Sequence, residues 1–186
     1  MTLSLSGMER NDSLLISAFY FWSNTLNAFV FCHGPMTITL ADIYMLTGLR
    51  ITGSKQPYDF SSAGSKKLAK ISDCAGWANY ILNHVGDGST ADDREHVAFL
   101  NMWLEKFIFC GSSYGPTYNH KYLAERLATG NGIPLGKYLL GSAYHLMHQV
   151  AAQLLKNEPV HTISGPWWLI QLWLNLYMHK IVRPNL

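Results

Sequence analysis

Charge is scarce in this chain. Asp, Glu, Lys and Arg together supply 14% of its 186 residues, against 48% hydrophobic residues. That balance excludes a disordered tail and leaves few charges to solvate the surface, so part of the surface is expected to meet a partner. The acids and bases nearly cancel, at +2. Basic residues come singly apart from Lys66, Lys67 and Lys70, too small a group for the broad basic face of a nucleic-acid binder. Cysteine is also sparse. Cys32, Cys74 and Cys110 are odd in number, far apart and without CxxC spacing, which excludes a disulfide framework or a zinc ribbon and points to buried thiols in a reducing compartment. No basic stretch leads into an apolar run at the N-terminus, so no secretory signal is expected. The longest membrane-like stretch, residues 166–182, is short for a span. Gln171, Asn175 and His179 recur along it every four residues, the mark of a core helix with one polar stripe. Repeats and low-complexity tracts are missing as well, and one domain spanning residues 1–186 is the expectation from length.

What is present is mostly helical patterning. Residues 13–26 predict a first helix, apolar on most sides, with strand as the alternative. Two β-prone runs then flank Gly34-Pro35, predicting a hairpin that turns there. Thr39 followed three positions later by Asp42 predicts a capped helix ending at Gly48, and residues 49–52 add a candidate short strand. The fold class is therefore mainly α, a compact helical domain with a small β-hairpin or short sheet near residues 28–52. Residues 53–65 read as a loop, and residues 66–84 as one or two helices with Trp77, Tyr80 and Ile81 as a local apolar set. From Asp92, acids in the first turn and Val97, Leu100, Trp103, Leu104 and Phe107 at helical spacing predict a further helix. A short helix over 119–128 closes at Gly130. Pro134 then opens a long one whose stripe runs Leu139, Ala143, Leu146, Met147, Val150 and Leu154.

Candidate chemistry is thin. His145 and His148 stand three apart on one helix, but two ligands are too few for a metal and no acid or cysteine completes the set. Cys32-His33 suggests a nucleophile beside its base, yet adjacent strand residues face opposite ways, so a buried thiol is the better reading. Glu95, His96 and Glu105 match no hydrolase or metalloprotease spacing and read as a solvated face. The glycines of residues 130–136 lack a preceding strand and phosphate-binding spacing. Trp167 and Trp168 cannot face the same way on a helix, which points one of them toward an interface. No catalytic residue, metal ligand or cofactor site is expected.

Three blocks of the sequence resemble the plant mobile domain family, also labelled aminotransferase-like, plant mobile domain. They are FWSNTLNAFVFCHGPMTITLADIYMLTGLRITG (21–53), AFLNMWLEKFIFC (98–110) and GPWWLIQLWLN (165–175). With residues 123–147 they cover most of the chain in the family's order, and the second block is most similar to retrotransposon-related members. The matching positions are Trp22, Gly34, Thr37, Thr39, Leu40, Asp42, Gly48, Leu49 and Gly53 in the first block. Trp103 and Leu104 match in the second, and Gly165, Pro166, Trp168, Leu169, Gln171, Leu172 and Trp173 in the third. All read as structural: Gly34, Gly48 and Gly53 as turns, Thr39 and Asp42 as a helix start, and Gly165-Pro166 as a helix entry. Family domains are usually longer, so the resemblance implies that this chain stops before the C-terminal part. It further implies a non-catalytic nuclear protein-interaction module tied to transposon silencing, gene expression and meristem maintenance. The partners it implies are proteins, among them a serine/threonine phosphatase of the protein phosphatase seven class or another plant-mobile-domain protein. A nucleic-acid-binding domain of a transposable-element protein is the alternative. The aminotransferase-like label finds no support in the residues, because no lysine has the phosphate cup and pyridinium partner that pyridoxal phosphate requires.

Overall fold

The computed structural model describes residues 9–53, 76–86, 92–113, 115–130, 132–160 and 163–182, with side chains to Tyr177 in the last helix. The expected loop over 53–65, the first half of the expected helices over 66–84, Cys74 and the trio Lys66, Lys67 and Lys70 fall mostly or wholly outside these residues. Seven helices and one small antiparallel sheet make the fold mainly α among the described residues. The chain forms two compact units, residues 1–51 with 135–186, and residues 52–134.

The first unit begins with α1, Asp12–Phe19. It is shorter than the helix expected over 13–26, because Trp22–Ser23 instead forms strand β1. Residues 24–27 then turn the chain, with Asn27 in the left-handed region at φ 52°. Polar side chains fix this turn: Trp22 Nε1 donates to Asn24 Oδ1 at 2.9 Å, and the Leu26 amide donates to Ser23 Oγ at 3.3 Å. Local side-chain bonds of this kind, the one to the Leu26 backbone above all, compete with helix and explain the early stop. Strand β2, Ala28–Phe31, pairs with β1 in the register Trp22 to Phe29 and with β3, Gly34–Met36, in the register Phe29 to Met36. The expected hairpin is there, but it turns at Cys32-His33. Gly34 and Pro35 lie inside β3, an edge strand, where proline's missing N–H costs nothing.

Helix α2, Leu40–Thr47, starts and stops as its sequence predicts. The Asp42 amide donates to Thr39 Oγ1 at 3.3 Å, the Thr39 amide donates back to Asp42 Oδ2 at 2.8 Å, and Gly48 closes the helix at φ 68°. Residues 49–52 form no strand. The Arg50 carbonyl instead accepts the Gly136 amide at 2.9 Å, so its partner is the first turn of α6 rather than another strand. Helix α6, Leu135–Leu155, buries Leu139, Ala143, Leu146, Met147 and Val150, and helix α7, Trp167–Val182, packs against it. The expected polar stripe of α7 divides, with Gln171 buried and Asn175 exposed. The Gln171 amide accepts from the Asn11 backbone and donates to the Glu9 carbonyl, both at 2.8 Å, which ties the start of the described chain to this helix. The guanidinium of Arg10 lies 4.0 Å from the ring centroid of Trp167. No described helix is long and apolar enough to cross a membrane.

The second unit holds α3, Trp77–Leu82, α4, Asp93–Trp103, a π-helical turn over Leu104–Ile108, and α5, Lys121–Ala128. Asp92 caps α4 by accepting the Glu95 amide at 2.7 Å, and α4 packs along α5.

Helix α6 contains a controlled comparison between two of its glycines. A Cβ at Gly136 would stand 2.9 Å from Ile51 Cγ2, 3.0 Å from Ile43 Cγ2 and 3.2 Å from the Arg50 carbonyl, whereas one at Gly141 meets nothing within 4 Å. Gly136→Ala should therefore destabilise by about 1–3 kcal/mol through overpacking. Gly141→Ala should stabilise by up to roughly 1 kcal/mol through helix propensity. Paired urea melts of the two variants check the contrast, and equal effects would show that the helix entry is not tightly packed.

Candidate functional site

The residues of chemical interest gather in the second unit, around the junction of α4 and the π-helical turn. The stripe expected there was Val97, Leu100, Trp103, Leu104 and Phe107. The buried face is instead Val97, Asn101, Leu104, Glu105 and Ile108, while Phe107 is 46% exposed. Both sets follow helical spacing, and the buried one contains two polar residues, which is why an apolar stripe does not find it. Glu105, expected on a solvated face, is only 4% exposed. The correction has a physical cause: Glu105 finds polar partners inside.

Those partners come from the segment leading into α5. Thr117 donates its hydroxyl to Glu105 Oε1, and His120 Nδ1 stands 3.5 Å from the same oxygen, within ion-pair reach but outside hydrogen-bond geometry. His120 is held flat against Phe109, with ring centroids 4.4 Å apart and planes 5° apart. Asn101 Nδ2 donates to the Thr117 carbonyl at 2.9 Å, which fixes the residue that holds Glu105. Asn101 Oδ1 is buried with no partner among the described residues. Burial acts to raise the Glu105 pKa, but the His120 and Thr117 contacts outweigh it and hold the carboxyl below its ordinary value.

The π-helical turn shapes the space beside this carboxylate. Widening the helix by one residue sends the Phe109 amide to the Leu104 carbonyl at 2.8 Å, and the Gly111 amide to the Glu105 carbonyl at 3.0 Å. Such bulges re-aim side chains and are found at functional sites more often than elsewhere. Just beyond it Cys110 sits at φ 48°, a left-handed conformation uncommon for a residue with a side chain. Trp77, Glu105, Lys106, Cys110, Gly111 and Ser113 line a cleft of about 330 Å³. Burial pushes the Cys110 thiol up to about 11, which makes it a poor nucleophile.

The residues singled out from sequence are placed elsewhere, mostly in the first unit. Trp22 and Trp173 are buried in its aromatic core, and Leu169 is fully buried beside them on α7. Thr37 shares a 2.7 Å hydrogen bond with the Tyr144 hydroxyl. Thr39, Leu40, Asp42 and Gly48 bound α2, and the Leu49 amide donates to Thr47 Oγ1 at 3.1 Å. Gly165 packs on Leu146, Pro166 precedes α7, and Trp168 and Leu172 are half-buried while Trp167 is buried. Gly53, Trp103 and Leu104 belong to the second unit. Gly53 abuts Pro134, Trp103 ends α4 and Leu104 opens the π-helical turn. Cys32, expected to be buried, is exposed at the hairpin turn. His145 is exposed and His148 bonds Asn27 Oδ1 at 2.7 Å, so the pair does not converge. Among the described residues no three His, Cys, Asp or Glu side chains gather to hold a metal ion.

One carboxylate elsewhere in the chain is also perturbed. Burial acts to raise the pKa of Asp42, and bonds from the Tyr177 and Thr39 side chains outweigh it and lower it. The same contact raises the Tyr177 pKa.

Two predictions test this chemistry. Because the folded-state pKa of Glu105 is depressed, its carboxylate stabilises the fold above the ordinary value of 4.5 and loses that contribution as pH falls through the lower folded-state value. Glu105→Gln should cost about 1–3 kcal/mol at pH 7, with the gap to the parent chain closing in acid. Denaturant melts across that pH range check it, and a constant gap would show that charge is irrelevant. Thiol reactivity gives the second test. At roughly pH 8 about one part in a thousand of Cys110 is thiolate. Mass-mapped alkylation of the native chain should therefore label exposed Cys32 well before Cys110.

Neither a curated protein nor a solved structure matches the chain. A family model, Plant mobile domain, matches residues 1–186. The match spans the whole chain, including the helix entry at Gly165-Pro166, the capped α2 and the tryptophan that opens the sheet, and the chain belongs to the plant mobile domain family.

Proposed function

We propose that this domain is a non-catalytic protein-interaction module of the nucleus, acting in transposon silencing, control of gene expression and meristem maintenance. The observation that carries the reading is an apolar surface around the sheet of the first unit. Tyr20 is 70% exposed, Phe21 51% and Leu26 60%, and the rings of Phe21 and Phe31 pair with centroids 5.5 Å apart. Single exposed apolar residues are ordinary, but aromatic side chains clustered on one element favour a protein partner. The carboxylate cluster of the second unit supports a non-catalytic role. Its hydroxyl already donates to Glu105 and its cysteine is held protonated, so no activated nucleophile stands beside a base. A phosphatase of the protein phosphatase seven class and a second plant-mobile-domain protein are the partners the reading puts first.

Capture from plant nuclear extract on the purified domain, with and without nuclease, tests it. The expected outcome is a retained set of proteins that resists nuclease and is lost with Phe21→Asp. Retention that vanishes with nuclease would replace this reading with nucleic-acid binding.

A further inference from the structure

The sheet of the first unit ends on one side in β3, which has a strand on one flank only. An open flank offers backbone N–H and C=O groups to any passing strand, including the same strand of a second copy. Which groups it offers follows from the register. The Val30 amide donates to the Phe21 carbonyl at 2.8 Å, so the backbone of Val30 is turned toward β1. Opposed residues of an antiparallel pair either both turn their backbone groups toward each other or both turn them away. Pro35 stands opposite Val30, so its backbone nitrogen and carbonyl face the open flank, while Gly34 and Met36 face β2. The central outward donor of β3 is therefore the one that proline lacks, and a ring carbon stands where an incoming carbonyl would need a hydrogen.

The other common protections are missing from this sheet. Edges are often guarded by charged side chains, lysine above all. From Ser13 to Ala41, a stretch that holds all three strands, there is no Asp, Glu, Lys or Arg. The strand behind the edge is Ala28-Phe29-Val30-Phe31, rich in the aromatic and β-branched residues that favour strands. Val30 is 44% exposed and Pro35 opposite it is exposed as well, so this corner is apolar besides being uncharged.

We infer that Pro35 is an edge guard, which keeps the β3 strands of two copies from pairing and the chain from assembling through its sheet. In a two-fold antiparallel pairing centred on residue 35, each copy would give its residue-35 amide to the other's residue-35 carbonyl. One proline in the sequence thus removes both bonds of that pair. The opposite edge needs no such device, because β1 is two residues long.

Sedimentation velocity of the purified full chain over a concentration series tests the inference, with Pro35→Thr as the decisive variant. Threonine restores the N–H and favours a strand, yet it is less apolar than proline, so apolar attraction cannot account for a gain in association. Pro35→Thr should self-associate at a concentration about tenfold or more below the parent chain, the scale of two backbone hydrogen bonds. Hydrogen exchange at the residue-35 amide should slow as its concentration rises. Pro35→Lys restores the same N–H but sets like charges against each other across the two-fold axis, and should stay as monodisperse as the parent. Near-UV circular dichroism of the Trp22 and Phe29 cluster reports whether each variant keeps the sheet. Where threonine disturbs it, Pro35→Ala restores the N–H with a smaller side chain and carries the same expectation. Association no stronger than the parent's in the folded N–H-restoring variant, or equal association of the threonine and lysine variants, would overturn the guard.

Discussion

The ring of Phe29 is the point on which the first unit turns. It is fully buried, and rings from three other elements meet it: Phe19 of α1 at 5.9 Å, Trp22 of β1 at 5.0 Å and Trp173 of α7 at 5.8 Å, with Phe31 of its own strand stacked at 5.5 Å. Aromatic pairs at these separations add directional preference to the area they bury. A two-residue strand such as β1 has almost no ladder of its own, so the Trp22 contact is what makes it a strand. The helix to either side is placed by the same ring. The sheet exists because the core holds its middle strand, a reversal of the usual view in which a sheet presents a face for helices to cover.

The second unit depends on a polar constraint instead. Glu105 is drawn in by Thr117 and His120, and the helix pays for this by widening through one π turn. The cleft and the left-handed Cys110 lie beside that local departure from regular geometry. A buried charge is weak evidence for stability, because an apolar side chain of the same volume often serves as well.

What the sequence discloses follows the range of the interactions involved. The capping of α2 was readable because Thr39 and Asp42 are three residues apart and Gly48 ends the same two turns. The long α6 stripe was readable because packing repeats over six turns. The first helix was misjudged by seven residues, since apolarity alone does not separate a buried helix from a buried strand, and the decisive bonds of Asn24 and Ser23 are side-chain events. Gln171 read only as part of a polar stripe on a core helix, because its partners, the backbone at Glu9 and Asn11, are about 160 residues away. Glu105 had a local signal that an apolar search passes over: it lies four residues after Asn101 and eight after Val97, on the face that is buried.

The first unit is made from the two ends of the chain, residues 1–51 and 135–186, with the whole second unit between them. On a ribosome, Phe19, Trp22 and Phe29 therefore emerge more than a hundred residues before Trp167 and Trp173 can cover them. At ordinary elongation rates of roughly 5–20 residues per second, that interval is roughly 7–30 seconds, far longer than hydrophobic collapse takes. During it the β-prone run at residues 28–31 is an aromatic segment with unfilled edges, the kind that chaperones hold. The second unit, residues 52–134, is contiguous in sequence and meets no such delay. Helix α7 is thus the element whose synthesis lets the aromatic core of the first unit close.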